Sequence, residues 1–163
     1  MQRMFAGWRM KFVQSAGHVK GCLFCALHRK GDDPGRWILE RGPHAFLVLN
    51  AFPYNTGHCM VALNRHVGTM ARLTRAERLY VWRLCARAET ALARVYRPEG
   101  MNVGLNLGRS SGAGVIGHLH VHLVPRWHGD ANFMTVIGDT KVLPEDLAVT
   151  YTRLSAALKR LRA

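Results

Sequence analysis

The sequence predicts an α+β fold: a long helix and a C-terminal helix packed on a mostly antiparallel sheet of about five strands. Three observations lead there. Short runs of alternating apolar residues, bounded by Gly, Pro and Asn, read as strands. One uninterrupted amphipathic run, RAERLYVWRLCARAETALARVY, reads as a long helix. The order is strands, long helix, strands, helix, and not the strand–helix alternation of a parallel sheet. The 163 residues, 48% of them apolar, suit one domain over residues 1–163 with a real core; a chain of that size buries roughly 70% of its unfolded surface.

The elements follow in order. Residues 1–20 form a wholly basic N-terminal segment, since the first acidic residue is Asp32. It lacks a signal-peptide core, because Arg3, Arg9 and Lys11 interrupt its apolar residues. GDDPGR (31–36) is a turn. WILERG and AFLVLN (45–50) are two strands joined by a Gly-Pro turn, AFPYNTG is a loop, and HCMVALN (58–64) is a third strand. Thr74 and Glu77 are spaced as a capping box for the long helix, which Pro98 and Gly100 end. MNVGLNLG (101–108) is a fourth strand, RSSGAGVIG a glycine-rich loop, and the stretch up to Pro125 a fifth strand. Pro144 opens the last helix, with Glu145 and Asp146 in its first turn and basic residues at its end.

No run of about 18 apolar residues is present, so no membrane span is expected, and the protein reads as soluble and cytoplasmic. The net charge of +13 fits either a basic surface or a partner that carries phosphates. Of the four cysteines, Cys22 and Cys25 form a C-x-x-C, which in a cytosolic chain reads as metal or redox chemistry. Cys59 and Cys85 stand alone in strand and helix patterns and read as small buried fillers.

Two motifs carry chemistry. GAGVIG (112–117) matches G-x-G-x-x-G, but a β-patterned stretch follows it where a dinucleotide site needs a helix N-terminus. Its glycines still allow backbone N–H groups to approach an anion closely. Directly after it, GHLHVHLVPRW holds His118, His120 and His122 at alternate positions. Side chains at i, i+2 and i+4 share one face of a strand, so three imidazoles point together while Leu119, Val121 and Leu123 point into the core. A metal site, acid–base catalysis or a nucleophile are the chemical uses of such a row. The C-x-x-C offers two thiolates, and zinc would need two further ligands, typically imidazoles.

HLHVHLVP fits His-φ-His-φ-His-φ-φ, with φ apolar, and resembles the motif of the histidine triad (HIT) family of nucleotide hydrolases and transferases. LVLNAFPYNTGHCMVALNRH resembles that family's two strands around a loop, and MNVGLNLG the strand before its glycine loop. WRMKF and PRWHGDANFM resemble a bacterial branch that includes diadenosine tetraphosphate phosphorylases.

The resemblance implies a HIT-like fold and a set of roles. His120 attacks the α-phosphate of a dinucleoside polyphosphate and forms a covalent AMP–histidine; His122 contacts the phosphate or bridging oxygen and helps the leaving group; His58 stabilises negative charge near the phosphates. Asn50 is placed near the ribose hydroxyls and Asn106 near phosphate or leaving group, although both could be turn residues. Many relatives carry Gln and Ser or Thr where this chain has Gly114 and Val115, so backbone around Gly112 and Gly114, with Ser111 nearby, is expected to hold phosphate. Arg126 could contact phosphates and Trp127 a base, with core or interface packing the other use of Trp127. The metal ligands implied are Cys22, Cys25, His66 and His118, holding a structural Zn2+. The acceptor is phosphate or water, which separates a phosphorylase from a hydrolase. Hydrolysis of phosphoramidates or other AMP esters is the alternative, and a non-catalytic nucleotide- or RNA-binding protein the rival class. A nucleotide substrate and a homodimer or larger assembly are expected, and neither a membrane nor a nucleic-acid partner.

Overall fold

The computed structural model describes residues 21–29, 31–130, 134 and 142–161. The basic N-terminal segment 1–20, with its WRMKF, and residues 131–133 of PRWHGDANFM lie outside the described residues.

A short helix α1 (Leu23–His28) precedes three strands, β1 (Ile38–Arg41), β2 (Ala45–Leu49) and β3 (Cys59–Leu63). A 3-10 turn, Met70–Arg72, leads into the long helix α2 (Arg75–Tyr96). Then come β4 (Gly100–Gly104), a second 3-10 turn at Arg109–Ser111, β5 (His120–Arg126) and the last helix α3 (Leu147–Arg160). The five strands form one sheet in the order β1-β2-β3-β5-β4, every neighbouring pair antiparallel. The expected α+β class and strand count hold, and α1 is an addition to the sequence reading.

Register sorts the side chains onto two faces. Val121 sits opposite Val61, and Val61 opposite Leu47; with Leu123, Cys59 and Leu49 they build the core under α2 and α3. His120 sits opposite Ala62 and His122 opposite Met60, beside Phe46 and Val48. That second face is covered by Phe24 of α1. β2 and β3 are therefore buried on both sides, which is why they read as near-continuous apolar runs. Cys59 and Cys85 are the buried fillers expected, and burial pushes the Cys85 thiol up to about 12.

The capping box forms as predicted: Glu77 N–H donates to Thr74 Oγ1 (3.2 Å), and Thr74 N–H donates to the Glu77 carboxylate (2.8 Å). Arg65 pairs with the same carboxylate at 2.9 Å. The helix stops at Tyr96, with Arg97 in a left-handed conformation (φ 47°). Three boundaries differ from expectation. Pro125 lies inside β5, not at its end: it is past Leu123, the last residue in register with β3, and stands opposite Met101 of β4. β4 stops at Gly104, so Asn106 stands in the following loop. Asp146 is the N-cap of α3, accepting from Val149 N–H at 2.8 Å, so Pro144 and Glu145 precede the helix. Glu145 instead receives Tyr96 and Thr150 hydroxyls and Arg153, tying the end of α2 to the start of α3.

Candidate active site and metal centre

The three alternate histidines do face one way, but they divide between two centres. His118, just before β5, is 1% exposed and belongs to a cluster with Cys22, Cys25 and His66. One ligand atom from each of the four lies within 4.8 Å of every other. His118 Nδ1 is 3.2 Å from Cys22 Sγ and 3.6 Å from Cys25 Sγ, and His66 Nδ1 is 3.4 Å from Cys25 Sγ. His118 Nε2 lies 2.7 Å from the Leu63 carbonyl. Only a protonated Nε2 can donate there, so the Nδ1 lone pair is the one turned to the thiols, as a metal ligand requires. A tetrahedron with metal–sulfur near 2.3 Å and metal–nitrogen near 2.0 Å places sulfur and nitrogen about 3.5 Å apart. The donor set and its spacing thus fit a four-coordinate ion. Backbone proximity makes the cluster possible: a Cβ on Gly68 would come within 2.8 Å of Gly117 Cα, so the His66 and His118 segments can run this close only with glycine there.

His120 begins β5 and is 4% exposed. Its Nδ1 donates to the His118 carbonyl at 2.8 Å, which leaves the lone pair on Nε2. Burial holds the imidazole below its ordinary pKa, so it is neutral near pH 7. His122 follows on the same face, with ring centroids 4.9 Å apart. His58, 1% exposed, places Nε2 3.0 Å from His122 Nδ1. The Tyr54 N–H donates to His58 Nδ1 at 3.0 Å, with the Asn50 amide at 3.3 Å from the same atom. An Nδ1 that accepts from the backbone forces the proton onto Nε2 of His58. That proton is donated to His122 Nδ1, which in turn puts the His122 proton on Nε2. One backbone N–H thereby fixes the tautomers of two histidines. Both ring nitrogens of His58 are engaged inside the protein, so the charge-stabilising role expected for it near the phosphates would pass through His122.

A cavity of about 320 Å³ opens onto His120 and His122, within the size range of small-molecule sites. Asn50, Asn106, Gly112 and Gly114 border it. Asn50 also accepts the Phe52 N–H at 3.0 Å, so it is a turn residue as well as a lining one. Ser111, Arg126 and Trp127 do not line it. Ser111 Oγ donates to the Gly108 carbonyl at 2.8 Å. The Arg126 guanidinium grips both oxygens of Asp130 (2.6 and 2.8 Å) and Asn102 Oδ1 (2.8 Å). Asp130 also receives the Asn55 amide at 2.7 Å and the Trp127 N–H at 3.2 Å, so this end of β5 braces the loop that carries Asn50 and His58. The cavity's apolar walls were missed in the sequence: Leu23, Phe24 and Leu27 from α1, Val48 and Met60 from the sheet, Phe52 and Tyr54 from the loop. Met60 and Val48 are legible as face-mates of the histidines; nothing in the linear pattern brings α1 here.

This constellation, two histidines with fixed tautomers at the mouth of an apolar cavity beside a glycine loop, defines a histidine triad site. Residues 33–129 match the HIT domain, and the chain belongs to the HIT family. It is 38% identical over 168 aligned residues to AP-4-A phosphorylase of Mycobacterium tuberculosis, spanning 98% of this chain and 86% of that protein. It is 26% identical over 113 residues to an uncharacterized HIT-like protein of Saccharolobus solfataricus, spanning 69% and 79%. A zinc-bound histidine triad family protein from Mycobacterium smegmatis shares the fold with a TM-score of 0.69 at 21% identity, covering 87% of this chain and 96% of that one. Plasmodium falciparum diadenosine triphosphate hydrolase does so at 0.62 and 12% identity, covering 93% and 95%.

Proposed function

We propose that this chain is a nucleotide phosphorylase that cleaves a dinucleoside polyphosphate of the diadenosine tetraphosphate type at the α-phosphate. The observation that carries the reading is the fixed proton pattern at the cavity mouth: an acceptor Nε2 on His120 beside a protonated Nε2 on His122. The likeness to AP-4-A phosphorylase over nearly the whole chain supports the substrate class and the acceptor.

His120 Nε2 attacks the α-phosphorus. The N–P bond forms as the bridging P–O bond breaks, and ATP departs, its oxygen taking the proton from His122 Nε2. Inorganic phosphate then attacks the same phosphorus, the N–P bond breaks, ADP leaves, and the proton returns to His122. Gly112 and Gly114 let backbone approach the phosphate where bulkier residues would not. The apolar walls suit a base. Zn2+ would be held by Cys22, Cys25, His66 and His118; with four protein ligands it would have no open position for substrate and would tie the N-terminal segment to the sheet. We read the protein as a homodimer or larger, because β4 is an edge strand with Val103 46% exposed, and α2 exposes Leu79 and Trp82; light scattering tests this.

The test is product analysis of diadenosine tetraphosphate with and without inorganic phosphate, alongside intact-mass measurement of the quenched protein. ATP plus ADP, formed only with phosphate, together with an adenylyl adduct that is absent from His120→Asn, supports the reading. AMP formed regardless of phosphate makes the protein a hydrolase. Intact substrate under both conditions refutes the dinucleotide assignment.

A further inference from the structure

We infer that α1 is a metal-held wall of the nucleotide cavity, and that Phe24 is the positioning residue through which metal occupancy sets nucleotide affinity. This rests on the nucleotide reading above for its ligand and on the described geometry for its mechanism.

α1 has six residues, too few to be stable alone. Its place comes from the burial of Phe24 on the sheet and from ties at its two ends. At the C-terminal end, Arg36 donates to the carbonyls of Ala26 and Arg29, and Arg41 to those of Leu27 and His28, at 2.9 to 3.2 Å. At the N-terminal end the ties are Cys22 and Cys25, whose sulfurs face His66 and His118. Without an ion, thiol–imidazole contacts of 3.2 to 3.6 Å are weak; with one, they become metal bonds.

Between and beside the two cysteines sit Leu23, Phe24 and Leu27, all lining the cavity. Phe24 is 1% exposed. Its ring lies 4.7 Å from His120 and 5.2 Å from His118, centroid to centroid. The same turn of helix therefore ligates on one side and walls the cavity on the other. His120 itself is anchored separately, by its place in β5 and its bond to the His118 carbonyl. Releasing the metal should loosen the wall more than the nucleophile. The signature is weaker nucleotide binding with the chemical step largely kept. A merely structural metal would give the opposite signature: fewer folded molecules, hence lower kcat at unchanged KM.

The experiment compares the full chain loaded with Zn2+, chelated with loss of metal verified, and reloaded. Two readouts are taken: the Kd for AMP by calorimetry, and hydrogen exchange of residues 22–29 against β2 and β3. Chelation is expected to raise the AMP Kd about tenfold and to deprotect 22–29 alone, both reversed by Zn2+. In metal-loaded enzyme, Phe24→Leu is expected to raise KM several-fold with kcat within about twofold. An unchanged Kd in the metal-free protein, or uniform deprotection of the whole sheet, overturns the inference. If even the loaded protein fails to bind AMP, the nucleotide reading has failed instead; the exchange of 22–29 then still decides whether metal holds the wall. Phe24→Leu is chosen over Phe24→Ala because it keeps the core filled; should it not fold, the chelation arm stands by itself.

Discussion

His58 offers the sharpest test of the tautomer relay. It is not among the described residues that line the cavity, yet its Nε2 lies 3.0 Å from His122 Nδ1 and its ring centroid 5.2 Å from that of His122. His58→Ala removes the donor that keeps the His122 proton on Nε2. A hydrogen bond of this kind is worth a net ~1 kcal/mol, which corresponds to about a fivefold preference between tautomers. Added freedom of the His122 ring brings the expected loss in kcat to roughly 5–30-fold, against about 10²–10³-fold for a group that itself stabilises the transition state. His58→Gln restores an N–H donor at similar reach and should hold kcat within about threefold of the parent, a difference under ~1 kcal/mol. The assay is ATP release from diadenosine tetraphosphate at saturating substrate, with kcat and KM separated and folding checked by thermal melting. A loss beyond about 10³ in both variants would place His58 on the phosphate directly and sink the relay. Equal activity in all three proteins would sink it from the other side.

Three further outcomes are expected. Glu77 is held well below its usual range, at about 2, first by the Arg65 guanidinium and then by the Thr74 backbone. A depressed carboxylate stabilises the fold fully above its unfolded value of 4.5 and loses that contribution as pH falls through about 2. Glu77→Gln should therefore lower Tm at pH 7, by roughly 1–3 kcal/mol equivalent or a few degrees, and flatten the fall in Tm between pH 4.5 and 2. Gly68→Ala forces a Cβ to within 2.8 Å of Gly117 Cα, so it should cut bound metal per chain and cost about 1–3 kcal/mol of stability, read by metal analysis and melting. Arg126→Ala removes an ion pair whose arginine side chain is 47% exposed; it should cost under about 1 kcal/mol and leave KM unchanged, whereas a phosphate contact would raise KM.

The sheet was legible because its strands obey period two so strictly. His118, His120 and His122 alternate with Leu119, Val121 and Leu123, and both faces are assigned by that alternation alone. The long helix was legible to the residue because Thr74 and Glu77 mark its start chemically. What could not be read was distance. Cys22 lies 96 positions from His118, and spacing gives no hint that they meet; only the family likeness named the partner. The pairing of Arg126 was not legible for a related reason. Its guanidinium suits phosphate and carboxylate equally, and the deciding carboxylate, Asp130, is one turn of chain away in a loop whose shape has no periodicity. Nothing in the sequence singles out Phe24, because its meaning depends on α1 folding back over the sheet.

The alternation also explains why one strand can serve two centres. Positions i and i+2 on a strand face are about 7 Å apart at the backbone, so neighbouring rings can turn to different partners while their residues share a main-chain group. His118 uses that spacing to hold its ring in the thiol cluster while its carbonyl accepts from His120 Nδ1 at 2.8 Å. One residue therefore fixes a metal ligand with its side chain and the nucleophile's tautomer with its main chain. Replacing His118 removes the ligand and also the ring's bond to the Leu63 carbonyl, which steadies the segment presenting that main-chain acceptor, so such a variant does not separate metal binding from chemistry. Cys25 can, because its sulfur faces the cluster while its neighbour Phe24 packs against the His120 ring and the sheet. A Cys25→Ser protein should thus lose metal and nucleotide affinity while His120, still bonded to the His118 carbonyl, keeps its reactivity at saturating substrate. An equal fall in kcat would mean that the cluster orients His120 directly and that the separation drawn here between wall and nucleophile is false.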